Sequence, residues 1–240
     1  MRRVRAFLRR AATRVLGRDL PPLDRQLVAE TFLRGTGIEI GALSSPQKVP
    51  KRARVTYVDR LPPEASAKFE DLKGVPLNRV DVIDDAESLR SFGDGSQDFV
   101  VANHVLEHLQ DPIAGLLAML RVTKAGGVVL LSVPDKRFTF DADRPVTPYE
   151  HLLRDHREGP AWSARQHFED WSRLVNKREE SRVDEEVRHL MNIGWSIHFH
   201  VWTWVEVLDL VRHARDEAAF DLEVALKNRD EVVLVLRKLA

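Results

Sequence analysis

The sequence predicts a single α/β domain built on a mostly parallel, doubly wound sheet of seven strands, with helices on both faces. Short apolar runs alternate with amphipathic helical patterns along much of the chain, an order that indicates parallel strands joined by crossover helices. The run 128–133 (VVLLSV) is apolar throughout, as expected of a central strand buried on both faces. Residues 228–230 separate the last two predicted strands, a joint short enough for a hairpin, so the last strand should be antiparallel.

The predicted elements follow a regular order up to the fifth strand. Strands are predicted over residues 37–42, 54–58, 80–83, 98–102, 128–133, 220–227 and 231–238. Helices are predicted over residues 24–35, 113–123 and 205–214, with Gly126-Gly127 ending the second of them. Residues 135–200 break the alternation, because they are polar, helical in pattern and rich in aromatic residues and histidine. We expect them to form a helical insertion, a lid above the carboxyl edge of the sheet.

Composition and charge exclude several classes of protein. The chain of 240 residues is 43% hydrophobic, enough for a core, and has no cysteine, which rules out disulfides, thiolate metal sites and a cysteine nucleophile. No apolar run approaches the ~20 residues needed to cross a bilayer. Arginines interrupt the start of the chain, so we expect no secretory signal and a cytoplasmic protein. Residues 61–240 carry a formal charge of −9, which argues against a face for nucleic acid.

The N-terminal segment is predicted to be a basic arm, residues 1–23, attached to a domain that spans residues 24–240. Residues 1–18 contain seven arginines, and apolar residues recur among them at helical spacing. One interpretation is an amphipathic helix that lies on the anionic inner surface of a membrane, a peripheral contact. The other is a solvated arm that packs a few apolar side chains on the domain.

Polar side chains follow the first four predicted strands. Ligands of open parallel sheets bind beyond the carboxyl ends of the strands. Gly41 lies near the end of the first strand and would let the backbone approach a ligand closely. Asp59 ends the second strand, where an acid can hold a pair of ribose hydroxyls, and Asp84 follows the third, where a carboxylate can accept an adenine N–H. Together with Asn103 and His104 after the fourth strand, this set spans the length of a nucleoside.

Motifs in this order resemble those of class I S-adenosylmethionine-dependent methyltransferases, and most closely the type 11 group. The matching stretches are EIGA (39–42), YVDR (57–60), DVIDDA (81–86), DFVVANHVLEHLQDP (98–112) and AGGVVLLSVPD (125–135). Residues 132–156 also resemble methyltransferase-like proteins found with polysaccharide and glycosyltransferase genes. The resemblance covers about residues 35–240. It implies a Rossmann-like fold with an antiparallel last strand, and S-adenosyl-L-methionine as the cofactor.

The resemblance also implies roles for individual residues. The first motif holds the amino-acid end of the cofactor, Asp59 binds the ribose, and Asp84 or Asp85 contacts the adenine. The cofactor-binding set implied in this way is Glu39, Gly41, Ala42, Asp59, Arg60, Asp84, Asp85, Ala86, Asn103 and His104. The family usually has a second glycine in the first motif, as in E-x-G-x-G. Here Leu43 takes that position, where a side chain can narrow the approach to the cofactor carboxylate.

The expected reaction is methyl transfer to a small or sugar-linked acceptor, with oxygen as the expected atom. A hydroxyl acceptor is helped by a general base, and histidine suits that role near neutral pH. The candidates for acceptor orientation or proton removal are His104, His156, His198 and His200. Arginine and tryptophan in the lid suit phosphate, carboxylate and sugar rings. The predicted acceptor-binding residues are Asp135, Arg137, Arg144, His151 and Trp202.

Two other functions are open at the level of sequence. One is a non-catalytic, methyltransferase-like binding module in a polysaccharide assembly complex, which Leu43 and the arginine-rich arm favour. The other is a metal-dependent hydrolase that uses His198 and His200, because H-x-H on a strand turns both imidazoles to one face. Its further ligands would come from His156, Asp155 or Asp135. We prefer two hydrogen-bonding histidines and predict no metal site. A nicotinamide dehydrogenase is disfavoured, because the first motif lacks a complete G-x-G-x-x-G.

Overall fold

The computed structural model describes residues 23–69 and 72–240, and these residues form a seven-stranded sheet. Its strands are β1 (Gly35–Ile40), β2 (Ala53–Asp59), β3 (Val82–Ile83), β4 (Gln97–Asn103), β5 (Thr123–Pro134), β6 (Phe220–Asn228) and β7 (Glu231–Lys238). Their spatial order is β3-β2-β1-β4-β5-β7-β6. The first five strands pair in parallel, and β7 runs antiparallel to both of its neighbours. The predicted fold class is confirmed.

The strand order creates a switch point between β1 and β4. β1 pairs in parallel with β2 on one side and with β4 on the other. β2 and β3 therefore extend the sheet on one side of β1, whereas β4 and the strands after it extend the sheet on the other side. The loops that leave these two strands diverge, and a crevice forms at the carboxyl edge, where open α/β sheets bind their ligands.

Helices cover both faces of the sheet. The described α-helices are α1 (Arg25–Phe32), α2 (Pro63–Ser66), α3 (Pro112–Val122), α4 (Tyr149–Glu158), α5 (Ala164–Asp170), α6 (Glu180–Asn192) and α7 (Trp204–Ala214). Along β4, Val100 and Ala102 pack into the layer that contains α3 and α7, whereas Phe99 and Val101 pack into the layer that contains α1. Successive side chains of a strand face opposite sides. Burial on both sides explains why the central strands are apolar throughout.

The glycine pair near residue 126 does not end a helix, contrary to the sequence prediction. α3 ends at Val122, and β5 begins at Thr123. Gly126 and Gly127 lie inside β5, next to an irregularity in its pairing with β4. A Cβ atom on Gly127 would lie 2.7 Å from the carbonyl oxygen of Asp98. Because Gly127 has no side chain, β4 and β5 can approach each other closely at this point.

The helical insertion after β5 is confirmed and has a small core of its own. The buried residues of this core are Phe168, Val183, Val187, Leu190, Ile197 and Phe199, with Trp171 and Trp195 packed against them. Residues 197–201, which the hydrolase alternative places on a strand, do not form one. This segment instead runs beside the turn after β4, where the Phe199 amide donates to the Glu107 carbonyl at 2.7 Å.

Among the residues that the structure describes, no helix is long and apolar enough to cross a bilayer. The basic arm predicted for residues 1–23 lies, apart from Leu23, outside the described residues. The division of the chain into an arm and a domain therefore stays a prediction.

Candidate active site

A cavity of about 290 Å³ opens at the carboxyl ends of β1, β2 and β4. This volume lies near the lower end of the ~300–1,000 Å³ range of small-molecule sites. Its walls come from the ends of these strands, the turn after β3 and the end of the lid. The sequence-predicted cofactor residues that line it are Gly41, Asp59, Arg60, Asp84, Asp85, Ala86 and His104.

The loop after β1 brings backbone to the cavity. Gly41 has a φ of +66°, and a Cβ atom there would lie 3.1 Å from Cγ2 of Val105. Both the positive φ and the limited space favour glycine. Leu43 lines the same cavity with a φ of +41° and a side chain that is 40% exposed. A leucine thus adopts a left-handed conformation that glycine would adopt without strain.

Asp59 presents a partly buried carboxylate at the end of β2. Burial raises its pKa, although the backbone N–H groups of Leu61 and Arg60 act in the opposite direction. The backbone carbonyl of Asp59 accepts the Asp84 N–H at 3.1 Å, which ties the end of β3 to the end of β2. A carboxylate at this position can accept hydrogen bonds from two hydroxyl groups.

Asp84 and Asp85 both stabilise the turn after β3. The Asp84 carboxylate accepts the N–H of Asp85 at 2.8 Å and that of Ser91 at 2.7 Å, and Asp85 accepts the N–H of Glu87 at 2.9 Å. Burial would raise the pKa of Asp84, but these hydrogen bonds outweigh it and hold the pKa below its usual value. Because both Asp84 oxygens serve the turn, Asp85 is the more available acceptor for a ligand.

Three of the predicted cofactor residues do not line the cavity. Ala42 lines a small depression beside it, and Asn103 donates its amide to the Gln47 side chain at 3.4 Å. Glu39 is buried, and its Oε1 accepts the Gln47 N–H at 2.7 Å. Its Oε2 has no hydrogen-bond partner among the described residues. Burial is the main cause that raises the pKa of Glu39 to about 7.

His104 lies at the cavity between two glutamates. Its Nε2 lies 2.9 Å from Oε2 of Glu231, and its Nδ1 lies 3.5 Å from Oε1 of Glu107. Burial would lower the pKa of His104, but the hydrogen bond to Glu231 and the charges of both glutamates outweigh it and raise the pKa. Arg25, at the start of α1, donates to the same Glu231 oxygen at 2.8 Å. The imidazole is therefore oriented by carboxylates on two sides.

Sequence reasoning missed Glu107 and Glu231 as parts of this site. Glu107 is fully buried, and neither of its carboxylate oxygens has a hydrogen-bond partner among the described residues. Burial raises its pKa. Glu231 begins β7, opposite Pro134 at the end of β5. Because β7 is antiparallel, its first residue lies at the carboxyl edge of the parallel strands. The predicted hairpin already implied this direction, so it was the signal in the sequence that could have indicated Glu231.

A family model described as a methyltransferase domain matches residues 7–183, more than half of the chain. The chain belongs to this methyltransferase family. No curated protein sequence matches it. Solved structures share the fold, as three examples show. A Rhodobacter sphaeroides chain named as a candidate Zn-dependent alcohol dehydrogenase has 16% identity and a TM-score of 0.57, over 92% of both chains.

The second example is a chain from a Haloferax volcanii complex between a methyltransferase activator and a candidate methyltransferase. It has 14% identity and a TM-score of 0.51, over 90% of this chain and 88% of that one. The third is a SAM-dependent methyltransferase from Thermotoga maritima, named as a possible histamine N-methyltransferase. It has 18% identity and a TM-score of 0.50, with the same two coverages. Identities of this size show a common fold.

Methyltransferases of this family use S-adenosylmethionine, and the cavity of this chain fits such a ligand. Gly41 leaves room for a ligand against the backbone. The Asp59 carboxylate faces the cavity at the end of β2. Behind the wall, the unpartnered Glu39 oxygen is a buried acceptor next to the loop after β1. A methyltransferase also takes an acceptor, here a small molecule.

Asp135 and Arg137, which the sequence predicts to bind the acceptor of the methyltransferase, pair with each other. Nε and Nη2 of Arg137 lie 2.9 Å and 2.6 Å from the two Asp135 oxygens. Asp135 is buried at the end of β5 and caps the helical turn Lys136–Phe138. Arg137 is exposed and keeps further N–H donors for an acidic group. Neither residue lines the cofactor cavity.

Arg144 and Trp202 are parts of the interior, contrary to the expectation that they contact the acceptor. Arg144 is 3% exposed and donates to Asp141 at 2.9 Å and to the carbonyl of His198 at 2.7 Å. Its guanidinium is therefore occupied and shielded from a phosphate. Trp202 is 1% exposed and belongs to the core under α3 and α7. Their residue types predicted contact with the acceptor, but both side chains are buried.

His198 and His200 do not form one pair of ligands. Nδ1 of His198 lies 2.6 Å from Asp141, and its ring packs against that of His108 at 4.6 Å between centroids. Nε2 of His200 lies 3.6 Å from Oδ2 of Asp155, in a different cluster. The hydrolase alternative assumed that both imidazoles share one face of a strand, and the structure does not provide that arrangement.

His151 and His156, both on α4, also lie away from the cavity of the methyltransferase. Nδ1 of His156 lies 2.8 Å from Asp111, the residue that caps α3. Nε2 of His151 lies 3.1 Å from Nε2 of His167. Of the four histidines predicted to act on the acceptor, His104 is the one that lines the cofactor cavity.

Proposed function

We propose that this methyltransferase transfers its methyl group to a hydroxyl oxygen of a small, sugar-linked acceptor. The observation that carries the proposal is His104, which lines the cofactor cavity and lies between Glu107 and Glu231. Attack by a hydroxyl is assisted by a base that removes its proton. An imidazole beside the cofactor, oriented by two carboxylates, suits that task.

The cofactor would occupy the cavity with its nucleoside along the strand ends. It supplies an electrophilic methyl group, so the protein must align the acceptor and exclude water. Asp59 would accept the ribose hydroxyls, and Asp85 would face the adenine. Glu39 would offer its free oxygen to the positively charged amino group at the other end. Gly41 would let the backbone lie against the ligand.

His104 would take the proton of the acceptor hydroxyl at Nδ1. Its Nε2–H can donate to Glu231 at 2.9 Å, which leaves the Nδ1 lone pair free. A carboxylate bound to one imidazole nitrogen fixes the tautomer and stabilises the imidazolium that forms. The carboxyl group of Glu107 lies 3.5 Å from Nδ1, near the imidazolium that would form. Arg25 holds Glu231 in position.

Aromatic side chains of the cavity favour a ring-shaped acceptor. Phe69 and Trp195 both line it and meet edge to face, with ring centroids 5.3 Å apart. Aromatic rings provide large apolar faces against which a sugar ring can stack. Arg60 donates to the Gly194 carbonyl at 3.2 Å and so connects the cavity to the lid. Together with the sequence resemblance, these features support a sugar acceptor of polysaccharide synthesis.

The experiment that tests the atom and the acceptor class is a product analysis. The full-length protein is incubated with S-adenosylmethionine and a panel of sugars, nucleotide sugars, phenols and primary amines. Mass spectrometry and NMR then identify the methylated atom. We expect a methyl ether on a sugar. A product methylated at nitrogen or carbon, with no methyl ether, would contradict the proposal.

Variants separate cofactor binding from proton removal. Asp59→Ala should weaken the binding of S-adenosylhomocysteine, measured by calorimetry, at least tenfold. His104→Gln should bind it within about twofold of the wild type but lose roughly 10²–10⁴-fold in kcat. Because the imidazole must be neutral to accept a proton, the wild-type rate should rise with pH through the raised pKa of His104 and then level off. His189→Gln, at an exposed position of α6, is the matched control and should retain the wild-type profile.

A further inference from the structure

Three histidines and one aspartate meet where the lid joins the rest of the domain. His151 and Asp155 lie on α4, His167 lies on α5, and His200 precedes α7. One donor atom from each residue lies within 4.8 Å of the donor atoms of all the others. The cluster is separate from the cofactor cavity, and the proposed reaction uses none of its residues.

The donor atoms are spaced like ligands around one small cation. His151 Nε2 lies 3.1 Å from His167 Nε2 and 3.2 Å from Asp155 Oδ2. Nε2 of His200 lies 3.6 Å from the same Asp155 oxygen. Donors that bind zinc at ~2.0–2.2 Å in a tetrahedron lie about 3.3–3.6 Å from one another. These three separations are close to the edges of such a tetrahedron, and the other three pairs of donor atoms lie within 4.8 Å.

The aspartate is oriented toward the histidines by a neighbouring hydroxyl. Ser163 donates its hydroxyl to Oδ1 of Asp155 at 2.8 Å. The other oxygen, Oδ2, belongs to a fully buried side chain and makes no hydrogen bond of good geometry with the described residues. Its nearest donors are Nε2 of His151 at 3.2 Å and Nε2 of His200 at 3.6 Å. A buried carboxylate is costly unless it is well hydrogen-bonded or coordinates a metal. A bound cation would satisfy it, and the serine is the kind of outer partner that orients a metal ligand.

Two of the imidazoles, those of His167 and His200, are buried. A histidine binds a metal ion through the lone pair of a ring nitrogen, so the proton on that nitrogen must leave when the ion binds. Without a metal, Nε2–H of His200 can donate to the Gln110 carbonyl, 3.2 Å away. Ligation would replace that proton, as metal binding to histidine generally does.

We propose that His151, Asp155, His167 and His200 form a zinc site that fastens the lid to the sheet domain. Three imidazole nitrogens and one carboxylate oxygen suit Zn²⁺. Four protein ligands complete a tetrahedron and leave no open position, which is the arrangement of a structural site. The ion would cross-link α4, α5 and the segment before α7. The sequence prediction of no metal site is thereby revised, with His200 in the ligand set and His198 outside it.

The first experiment measures metal in the full-length protein, purified without a histidine tag and without chelators. Inductively coupled plasma mass spectrometry should find one zinc ion per chain in the wild type. His167→Gln and Asp155→Asn should each retain at least tenfold less zinc. His189→Gln replaces an exposed histidine of α6 and should retain the full amount. Equal metal content in the ligand variants and this control would overturn the proposal.

A second pair of measurements covers the case in which a ligand variant does not fold. Ser163→Ala keeps all four ligands, and chelator competition should show zinc bound about 10–100-fold more weakly. Wild-type protein stripped of metal and titrated with Co²⁺ should develop the intense visible absorption of tetrahedral cobalt, and zinc should abolish it. Wild-type protein that contains no zinc and gives no such absorption with cobalt would refute the site. Methyl-transfer activity enters neither measurement.

Discussion

At the scale of single residues, the site depends on groups held in unfavourable local states. Leu43 and His104 adopt positive φ angles, and Glu39 and Glu107 are buried carboxyl groups with oxygens that accept no hydrogen bond from the described residues. Such states persist only where the surrounding structure enforces them, and they concentrate at binding sites. Their cost to the empty protein can be recovered when a ligand supplies the missing contacts, which makes the following two predictions testable.

Leu43→Gly should increase affinity for the cofactor. The substitution removes a side chain that lines the cavity and relieves a left-handed conformation that costs an L-residue about 1–2 kcal/mol. Glycine also makes the unfolded chain more flexible, which lowers the free energy of unfolding by about 0.5–1 kcal/mol. The two effects oppose each other, so the free energy of unfolding should change little. Calorimetry with S-adenosylhomocysteine should show affinity increased about 3–10-fold, a gain of roughly 1 kcal/mol.

Leu43→Ala is the control for this prediction, because alanine removes the bulk of the side chain but keeps the strained φ. A gain in both variants would assign the effect to side-chain bulk, and a gain in glycine alone would assign it to the backbone. Weaker binding in both would show instead that Leu43 packs against the cofactor.

Glu39→Gln should stabilise the free protein at high pH. The pKa of Glu39 in the folded protein is about 7, above its usual value of 4.5. Its contribution to stability is therefore complete below about pH 4.5 and is lost as the pH rises through 7, by up to about 3 kcal/mol. Glutamine is neutral at every pH, so urea denaturation should show the variant to be more stable than the wild type at pH 8, and much less so at pH 5.

Glu30→Gln, at an exposed position of α1, should show no such dependence on pH. If the free energies of unfolding of Glu39→Gln and the wild type differ by the same amount at pH 5 and pH 8, the buried carboxyl group does not titrate between these pH values.

At the scale of elements, the lid is positioned by buried polar contacts as well as by its apolar core. Arg144 donates to Asp141 and to the carbonyls of His198 and Phe199. Asp141 in turn binds Nδ1 of His198, whose ring packs on His108 at the cavity. The segment after β5 and the segment before α7 are thus held together beside the active site. Loss of this contact should loosen the lid without touching the cofactor.

Arg144→Met should destabilise the protein by about 3–5 kcal/mol, because the buried Asp141 carboxylate loses its arginine partner and two buried carbonyls lose their donor. Chemical denaturation measures the loss, and hydrogen exchange should locate increased exposure in residues 141–201. Arg154→Met is the control, since Arg154 lies on the exposed side of α4 in a pair with Glu158, and surface pairs contribute about 0–1 kcal/mol. A wild-type denaturation curve for Arg144→Met would refute the structural role.

At the scale of the whole molecule, the site draws on segments that are far apart in the chain. Arg25, Gly41, Asp59, His104 and Glu231 come from α1, the ends of β1, β2 and β4, and the start of β7. The sheet brings them together because parallel strands end at one edge and β7, being antiparallel, begins there. The geometry of the candidate site is therefore a property of the topology.

From the amino-acid sequence alone we could predict the class of fold, the edge of the sheet that holds the candidate site and several residues at the strand ends. Period-two and helical patterns are local, and a residue that follows an apolar run must lie at a strand end, so Gly41 and Asp59 could be placed in advance. The motif after β4 likewise indicated His104, which lines the cavity.

Which polar residues are accessible to a ligand depends on packing, and the sequence does not show it. A residue's type is the same whether its side chain is buried or exposed, so the sequence does not show the burial of Arg144, Trp202 and His198. Their partners come from segments distant in sequence. Glu231 lies in the candidate site because β7 begins at that edge of the sheet. His200 lies beside residues of α4 and α5 because the segment before α7 is not a strand. Burial and partner choice arise from packing between distant segments, which no local pattern encodes.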